Sequence, residues 1–137
     1  VEEQDARVVM IAGPGEEELL ARAADQGARF TPFPPARSLR EAAALIGRAR
    51  LFLGGDSAPL HLASLQGIPC VALFGPKRPA RFGPYRVPAR ILRHPTSCHP
   101  CRLRSCPVPL CIKGIQPPAV LAAVRSLLAG AGEEEAP

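Results

Sequence analysis

The residues best suited to chemistry are eight consecutive ones, Gly54 to His61 (GGDSAPLH), between a short apolar run and a segment of helical character. The glycines allow a tight turn and the close approach of a ligand to the backbone. Free amides at the helix start, from Ser57 and Ala58, attract an anion, and the helix dipole adds to the attraction. His61, one turn further, can donate to a phosphate or sugar oxygen. The alternative is a plain helix start with the histidine packed against a sheet.

Two further groups of polar residues follow predicted strands. Glu16 comes after the turn Gly13-Pro14-Gly15, where an acidic side chain can pair with ribose hydroxyls. Alternatively, it is a first-turn glutamate that interacts with the helix dipole. Lys77 and Arg78 follow the fourth predicted strand, and their charges either neutralise a diphosphate or are solvated.

Four of the five cysteines fall within fourteen residues, at a spacing suited to one tetrahedral metal ion: Cys98, Cys101, Cys106 and Cys111. The spacing matches a zinc knuckle that has Cys106 in place of its histidine, so we expect a structural zinc-type site. Free thiols and disulfides are the alternatives. The same spacing is compatible with a nucleic-acid-binding module, but no aromatic residue between Ser97 and Lys113 could stack on unpaired bases.

Composition sets the limits for these sites. A chain of 137 residues with 47% hydrophobic and 21% charged residues is typical of one soluble globular domain. It has neither a signal peptide nor an apolar run of the roughly 18–20 residues that a membrane span needs. The net charge of +5 and the basic middle of the chain favour a phosphate-bearing partner (nucleic acid, nucleotide or anionic membrane), although arginine richness also follows from genomic base composition. Because the chain starts at Val1, we expect a fragment of a longer protein.

The elements that must position these residues alternate between strand and helix. The pattern predicts strands at 7–12, 28–33, 51–53, 68–74 and 89–93. It predicts helices at 16–26, ended by Gly27, after the N-cap residue Ser38, at 58–66 and from Pro117, and loops at 75–88 and 98–111. Cys70 lies in the fourth strand and is expected to be a small buried hydrophobe. Such alternation indicates an α/β fold, a Rossmann-like open parallel sheet of about five strands with helices on both faces. We expect this domain to span residues 7–129 and a disordered acidic tail to span residues 130–137.

The sequence of residues 54–85, GGDSAPLHLASLQGIPCVALFGPKRPARFGPY, closely resembles the core signature of glycosyltransferase family 9, the ADP-heptose:lipopolysaccharide heptosyltransferases. The Gly-Pro-Gly-Glu turn at 13–16, the clustered cysteines and the final IQPPAVL helix are also similar to that family's C-terminal half. The resemblance implies one half of a GT-B enzyme, in which two Rossmann-like domains enclose the substrates. It implies inverting transfer of a heptose-like sugar from an ADP-sugar to lipopolysaccharide core or a similar cell-surface glycan.

The resemblance also implies roles for individual residues. The donor sugar would contact Asp56, the diphosphate would bind the first amides of the helix, the ribose would pair with Glu16, and the adenine would lie near residues 37–39. The implied donor-binding residues are Glu16, Ser38, Gly55, Asp56, Ser57, Ala58, His61 and Lys77. No catalytic residue and no catalytic cofactor are expected here, because the acceptor base belongs to the N-terminal half, so the fragment alone would be inactive. The expected partners are an ADP-sugar and the N-terminal acceptor domain, not nucleic acid, in a cytoplasmic protein that is free or peripheral at the inner membrane.

Two departures from the family pattern bear on the phosphate site. The family commonly has glycine where Ala58 stands, and it often has a Thr-Asp pair where Lys77-Arg78 stands. Its phosphate-binding lysine or arginine lies upstream of Val1, so one hypothesis is that Lys77 or Arg78 compensates. A third alternative is a generic Rossmann-like nucleotide-binding domain without transfer activity.

Overall fold

The computed structural model describes residues 6–33, 38–99, 101, 103 and 105–130. Strands and helices alternate as predicted. In chain order the elements are β1 (Val9–Ile11), α1 (Glu17–Asp25), β2 (Thr31–Phe33), α2 (Leu39–Ile46), β3 (Phe52–Gly55), α3 (Ala58–Leu65), β4 (Cys70–Leu73), α4 (Pro79–Phe82), β5 (Ala89–Leu92), α5 (Leu110–Lys113) and α6 (Pro117–Gly130). The predicted acidic tail, apart from Gly130, lies outside the described residues.

All paired strands are parallel, which confirms the α/β class. The hydrogen bonds form two sheets, a two-stranded one of order β1-β2 and a three-stranded one of order β3-β4-β5. Each sheet thus contains sequential strands joined by crossovers, as βαβ units require. The chain divides into two compact units, Val1–Ala42 and Ala43–Pro137, and each contains one of the sheets.

The first unit contains β1, α1 and β2, and its helix boundaries follow the sequence signals. Gly27 follows α1 with a φ of +79°, the left-handed conformation in which glycine commonly ends a helix. The hydroxyl of Ser38 accepts the amide hydrogen of Glu41 at 3.2 Å, so it caps α2 as predicted. Pro32 lies within β2 and has no amide hydrogen, a feature of edge strands.

The core of the second unit surrounds β4, whose first three residues are fully buried. The helices α3 and α6 pack on this strand, with Leu60 from α3 and Leu127 from α6 among the buried residues. Cys70 lies inside this core, where its thiol donates to the carbonyl of Ile68 at 3.1 Å. Burial raises the pKa of this thiol from 9.0 to about 11, so it stays protonated at neutral pH and acts as a packing residue, as predicted.

Two segments predicted as loops contain short helices. The proline- and arginine-rich segment 75–88 includes α4, and the cysteine segment ends in α5. Both helices have four residues and a proline at their start, since α4 begins with Pro79 and Pro109 is the N-cap residue of α5. Proline favours the first turn of a helix. Among the described helices, none combines the length and the apolar character needed to cross a bilayer.

Candidate functional site

The turn between β3 and α3 lies at the carboxyl end of the three-stranded sheet. The strand continues two residues beyond the predicted 51–53, because Gly54 and Gly55 pair with Ala72 and Leu73 of β4. A Cβ atom at Gly55 would meet only the Leu73 carbonyl oxygen, at 3.8 Å, so packing inside the described chain does not require this glycine. The exposed backbone here leaves room for a close-lying ligand.

The start of α3 is not capped by any side chain of the described residues. Ser57, the N-cap residue, has extended backbone angles, and its hydroxyl donates to the carbonyl of Gly55 at 3.3 Å instead. Ser57 and Ala58 are exposed, so the first-turn amides open to solvent. Pro59 lies within the first turn, where its missing amide hydrogen costs no helical hydrogen bond. An uncapped, solvent-facing helix start of this kind suits an anion.

Three of the predicted donor-binding side chains meet beside this helix start. Asp56, whose side chain is 14% exposed, has one carboxylate oxygen 3.3 Å from Nζ of Lys77. Its other oxygen lies 3.9 Å from Nε2 of His61, whose side chain is 48% exposed. His61 is therefore open to solvent beside Asp56 rather than packed against the sheet. The carboxyl ends of β3 and β4 thus carry two cationic or donor groups around one carboxylate.

The segment that carries Lys77 is held against α3 by a residue that the sequence did not single out. The hydroxyl of Ser64, nearly buried on α3, accepts the amide hydrogen of Tyr85 at 2.7 Å and donates to its carbonyl at 3.0 Å. The Phe82 ring lies 5.1 Å from Nζ of Lys77 and 5.4 Å from the guanidinium of Arg81. The signal for Ser64 was available in the sequence, since Ser64 and His61 are the two polar residues of the otherwise apolar helix α3.

The other two predicted donor-binding side chains belong to the first unit and have local partners. A carboxylate oxygen of Glu16 accepts the amide hydrogen of Gly13 at 2.7 Å, and Ser38 caps α2. Both residues are exposed. Arg37, predicted near the adenine, lies outside the described residues, so the ribose and adenine roles stay predictions.

The cysteine segment borders a cavity of about 470 Å³. All four of its cysteines, together with His94 and His99, are among the residues that line this cavity. The segment is attached at both ends, through an amide of Cys101 that donates to the Pro76 carbonyl at 3.1 Å and an amide of His94 that donates to the Cys111 carbonyl at 3.3 Å.

Among the described residues, the thiols are not grouped as the predicted metal centre requires. All five cysteines are free, and no three metal-binding side chains among the described residues are grouped closely enough to hold an ion. The Sγ of Cys101 accepts the Leu103 amide at 3.4 Å, while the Cys98 thiol donates to Thr96 at 3.5 Å. Thiolate is a suitable zinc ligand, but this placement does not fit a tetrahedral ion. Of the alternatives left open by the sequence, the structure shows free thiols.

A family model described as glycosyltransferase family 9 (heptosyltransferase) matches residues 1–112. The chain belongs to glycosyltransferase family 9. It is 31% identical over 81 residues to lipooligosaccharide heptosyltransferase 2 of Campylobacter jejuni, an alignment that covers 57% of this chain and 25% of that protein. The predicted resemblance is thereby confirmed, and the nucleic-acid-binding alternative receives no support from it.

Two solved members of the same family confirm the fold. The family 9 glycosyltransferase of Veillonella parvula superposes with a TM-score of 0.77 at 26% identity, covering 93% of this chain and 38% of that one. The ADP-heptose heptosyltransferase II of Escherichia coli gives a TM-score of 0.74 at 26% identity, covering 98% of this chain and 39% of that one. This family 9 chain therefore spans under two fifths of each of these structures and a quarter of the Campylobacter jejuni relative.

Proposed function

We propose that residues 7–129 are the donor-binding C-terminal domain of an inverting GT-B glycosyltransferase that uses an ADP-heptose-like donor. Family membership supports the reaction class, and the related Escherichia coli structure is named for ADP-heptose. The observation that carries the proposal is the uncapped, exposed start of α3 with Asp56 and Lys77 beside it. A generic nucleotide-binding domain would need only the first of these features.

The chemistry of transfer explains this arrangement. As the bond from sugar to diphosphate breaks, negative charge grows on the leaving group. The preorganised amides of Ser57 and Ala58, with His61 as a further donor, would stabilise that charge without a metal. The carboxylate of Asp56 would accept hydrogen bonds from sugar hydroxyls. The ribose and adenine contacts implied for Glu16 and Ser38 complete the proposal, and the acceptor base would come from an N-terminal half.

Two wider parts of the proposal concern the acceptor and the location. The curated relative acts, by its name, on lipooligosaccharide, so we propose lipopolysaccharide core or a similar cell-surface glycan as the acceptor. A lipid-linked acceptor and a soluble nucleotide-sugar meet at a membrane surface, which suits a cytoplasmic protein peripheral to the inner membrane. The proposal includes no role for the zinc ion predicted at the cysteines, since no three metal-binding side chains of the described residues are grouped there.

The proposal is tested by calorimetric titration of the chain with ADP, UDP and GDP. We expect saturable binding with ADP tightest. Replacement of Ala58 by proline removes one amide donor at a position that tolerates proline, and it should weaken ADP binding about tenfold or more, since hydrogen bonds to charged groups contribute roughly 1.5–3 kcal/mol. Ala58→Gly is the matched control, because it keeps the amide. Equal affinities for the two variants would contradict the proposed phosphate site.

A further inference from the structure

The middle of the sequence contains very few acidic residues. Between residues 42 and 132 the sequence has a single acidic side chain, Asp56, against twelve basic ones. Carboxylates are therefore scarce in this stretch of the sequence. Lys77 has the one that exists, at 3.3 Å, although its own side chain is 56% exposed.

The contact between Lys77 and Asp56 is weak enough for the lysine to leave the carboxylate and bind another anion. An ion pair with one half-exposed partner is weak, and it shifts an equilibrium by only about two- to fivefold. The lysine stem is flexible, and its second contact, with the ring of Phe82 at 5.1 Å, does not require the carboxylate. Asp56 directly precedes Ser57 at the uncapped helix start, so an anion bound there would lie within a short movement of the same ammonium group.

We propose that Lys77 is an exchangeable counter-ion, which neutralises Asp56 in the free protein and moves to the diphosphate when a nucleotide binds. The inference rests on the proposed function and gives Lys77 a phosphate-binding part within that site. Without ligand, the ammonium group of Lys77 neutralises the only carboxylate that the described residues of the second unit contain. With ligand, the ammonium follows the larger negative charge, and the Asp56 carboxylate becomes free to accept hydroxyls of the sugar.

Nucleotide binding by variants of Lys77 and Asp56 distinguishes a fixed structural contact from an exchangeable counter-ion. If Lys77 only held Asp56 in place, removing either partner would loosen the turn and weaken nucleotide binding to a similar degree. If Lys77 moves, the two replacements act in opposite directions. Loss of the lysine removes a phosphate contact, whereas loss of the carboxylate charge removes the competitor for the lysine.

The experiment is calorimetric titration with ADP of the unaltered chain, Lys77→Ala, Asp56→Asn and the double variant, with melting temperatures recorded for each. We expect Lys77→Ala to weaken ADP binding about tenfold or more and Asp56→Asn to tighten it about two- to fivefold. In the Lys77→Ala background, Asp56→Asn should have no effect. Lys113→Ala is the matched control, since it removes an exposed lysine that lies on α5, outside the proposed site, and it should change the affinity less than twofold.

The outcomes separate this inference from the function on which it rests. Weaker ADP binding by Asp56→Asn, or equal effects of Lys77→Ala and Lys113→Ala, would overturn the counter-ion exchange while ADP binding by the unaltered chain still supported the proposed function. No ADP binding by the unaltered chain would overturn both.

Discussion

The turn between β3 and α3 and the cysteine segment were both identified by residue spacing, yet their side chains are grouped differently in the structure. At the turn, Asp56 lies within 4 Å of both Lys77 and His61. In the cysteine segment, residues 98–111, four thiols border one cavity and do not group around a point. The turn joins a paired strand to a helix, whereas the described residues of the cysteine segment form no regular element before α5.

The spacing of residues in the sequence predicts their relative positions only where the residues lie in a helix or strand, because these elements have a fixed period. Ser57 and His61 are four residues apart across the first turn of α3, so they share a face of the helix. A Cys-x2-Cys spacing in a loop has no such period, and the separation of two thiols then depends on backbone angles that the sequence does not state. This difference explains why one set of residues converges and the other does not.

The largest expected effect comes from removing core packing beneath the turn. Leu60 is fully buried on α3, so Leu60→Ala should lower the free energy of unfolding by about 2–5 kcal/mol through lost burial and an unfilled cavity. Urea denaturation measures this change. The same truncation in the cysteine segment, Leu103→Ala, removes a side chain that is 63% exposed and should change stability by less than about 0.5 kcal/mol.

The contrast between the two leucines would fail if Leu103→Ala were as damaging as Leu60→Ala. That result would mean that the cysteine segment contributes to the core as much as α3 does. The two regions would then not differ in the way their packing indicates.

A smaller effect is expected from the tether between α3 and the segment that carries Lys77. Ser64→Ala leaves both the amide and the carbonyl of Tyr85 without their partner, which should cost about 1–3 kcal/mol of unfolding free energy. Trypsin should also cut faster within residues 77–86, because the segment is released from the helix. Ser126→Ala is the matched control, since the hydroxyl of Ser126 accepts a hydrogen bond from the exposed side chain of Arg90. This variant should leave the unfolding free energy and the rate of cleavage nearly unchanged. Unchanged cleavage in Ser64→Ala would show that the segment is held by other contacts.

Much of the fold could be predicted from local signals. Gly27, the hydroxyl of Ser38 and the continuous apolar run around Cys70 each specify an element through short-range physics, and the structure places all three as predicted. The division into two sheets could not be predicted, because strand pairing depends on partners far apart in sequence. The contact of Lys77 with Asp56 was also missed, since it joins the ends of two strands and only parallel pairing brings them together.

The smallest expected effect is that of metal removal on the stability of the cysteine segment. This measurement tests the contrast between that segment and the turn between β3 and α3. A structural zinc ion contributes roughly 10–16 kcal/mol of binding free energy at neutral pH, so its removal would be obvious in a melting curve. Because the thiols are free and ungrouped, we expect dialysis against EDTA to leave the melting temperature unchanged and added zinc to bind without fixed stoichiometry. Binding of one zinc ion per chain, together with a higher melting temperature that Cys106→Ser abolishes, would show that spacing had specified a site even in a loop.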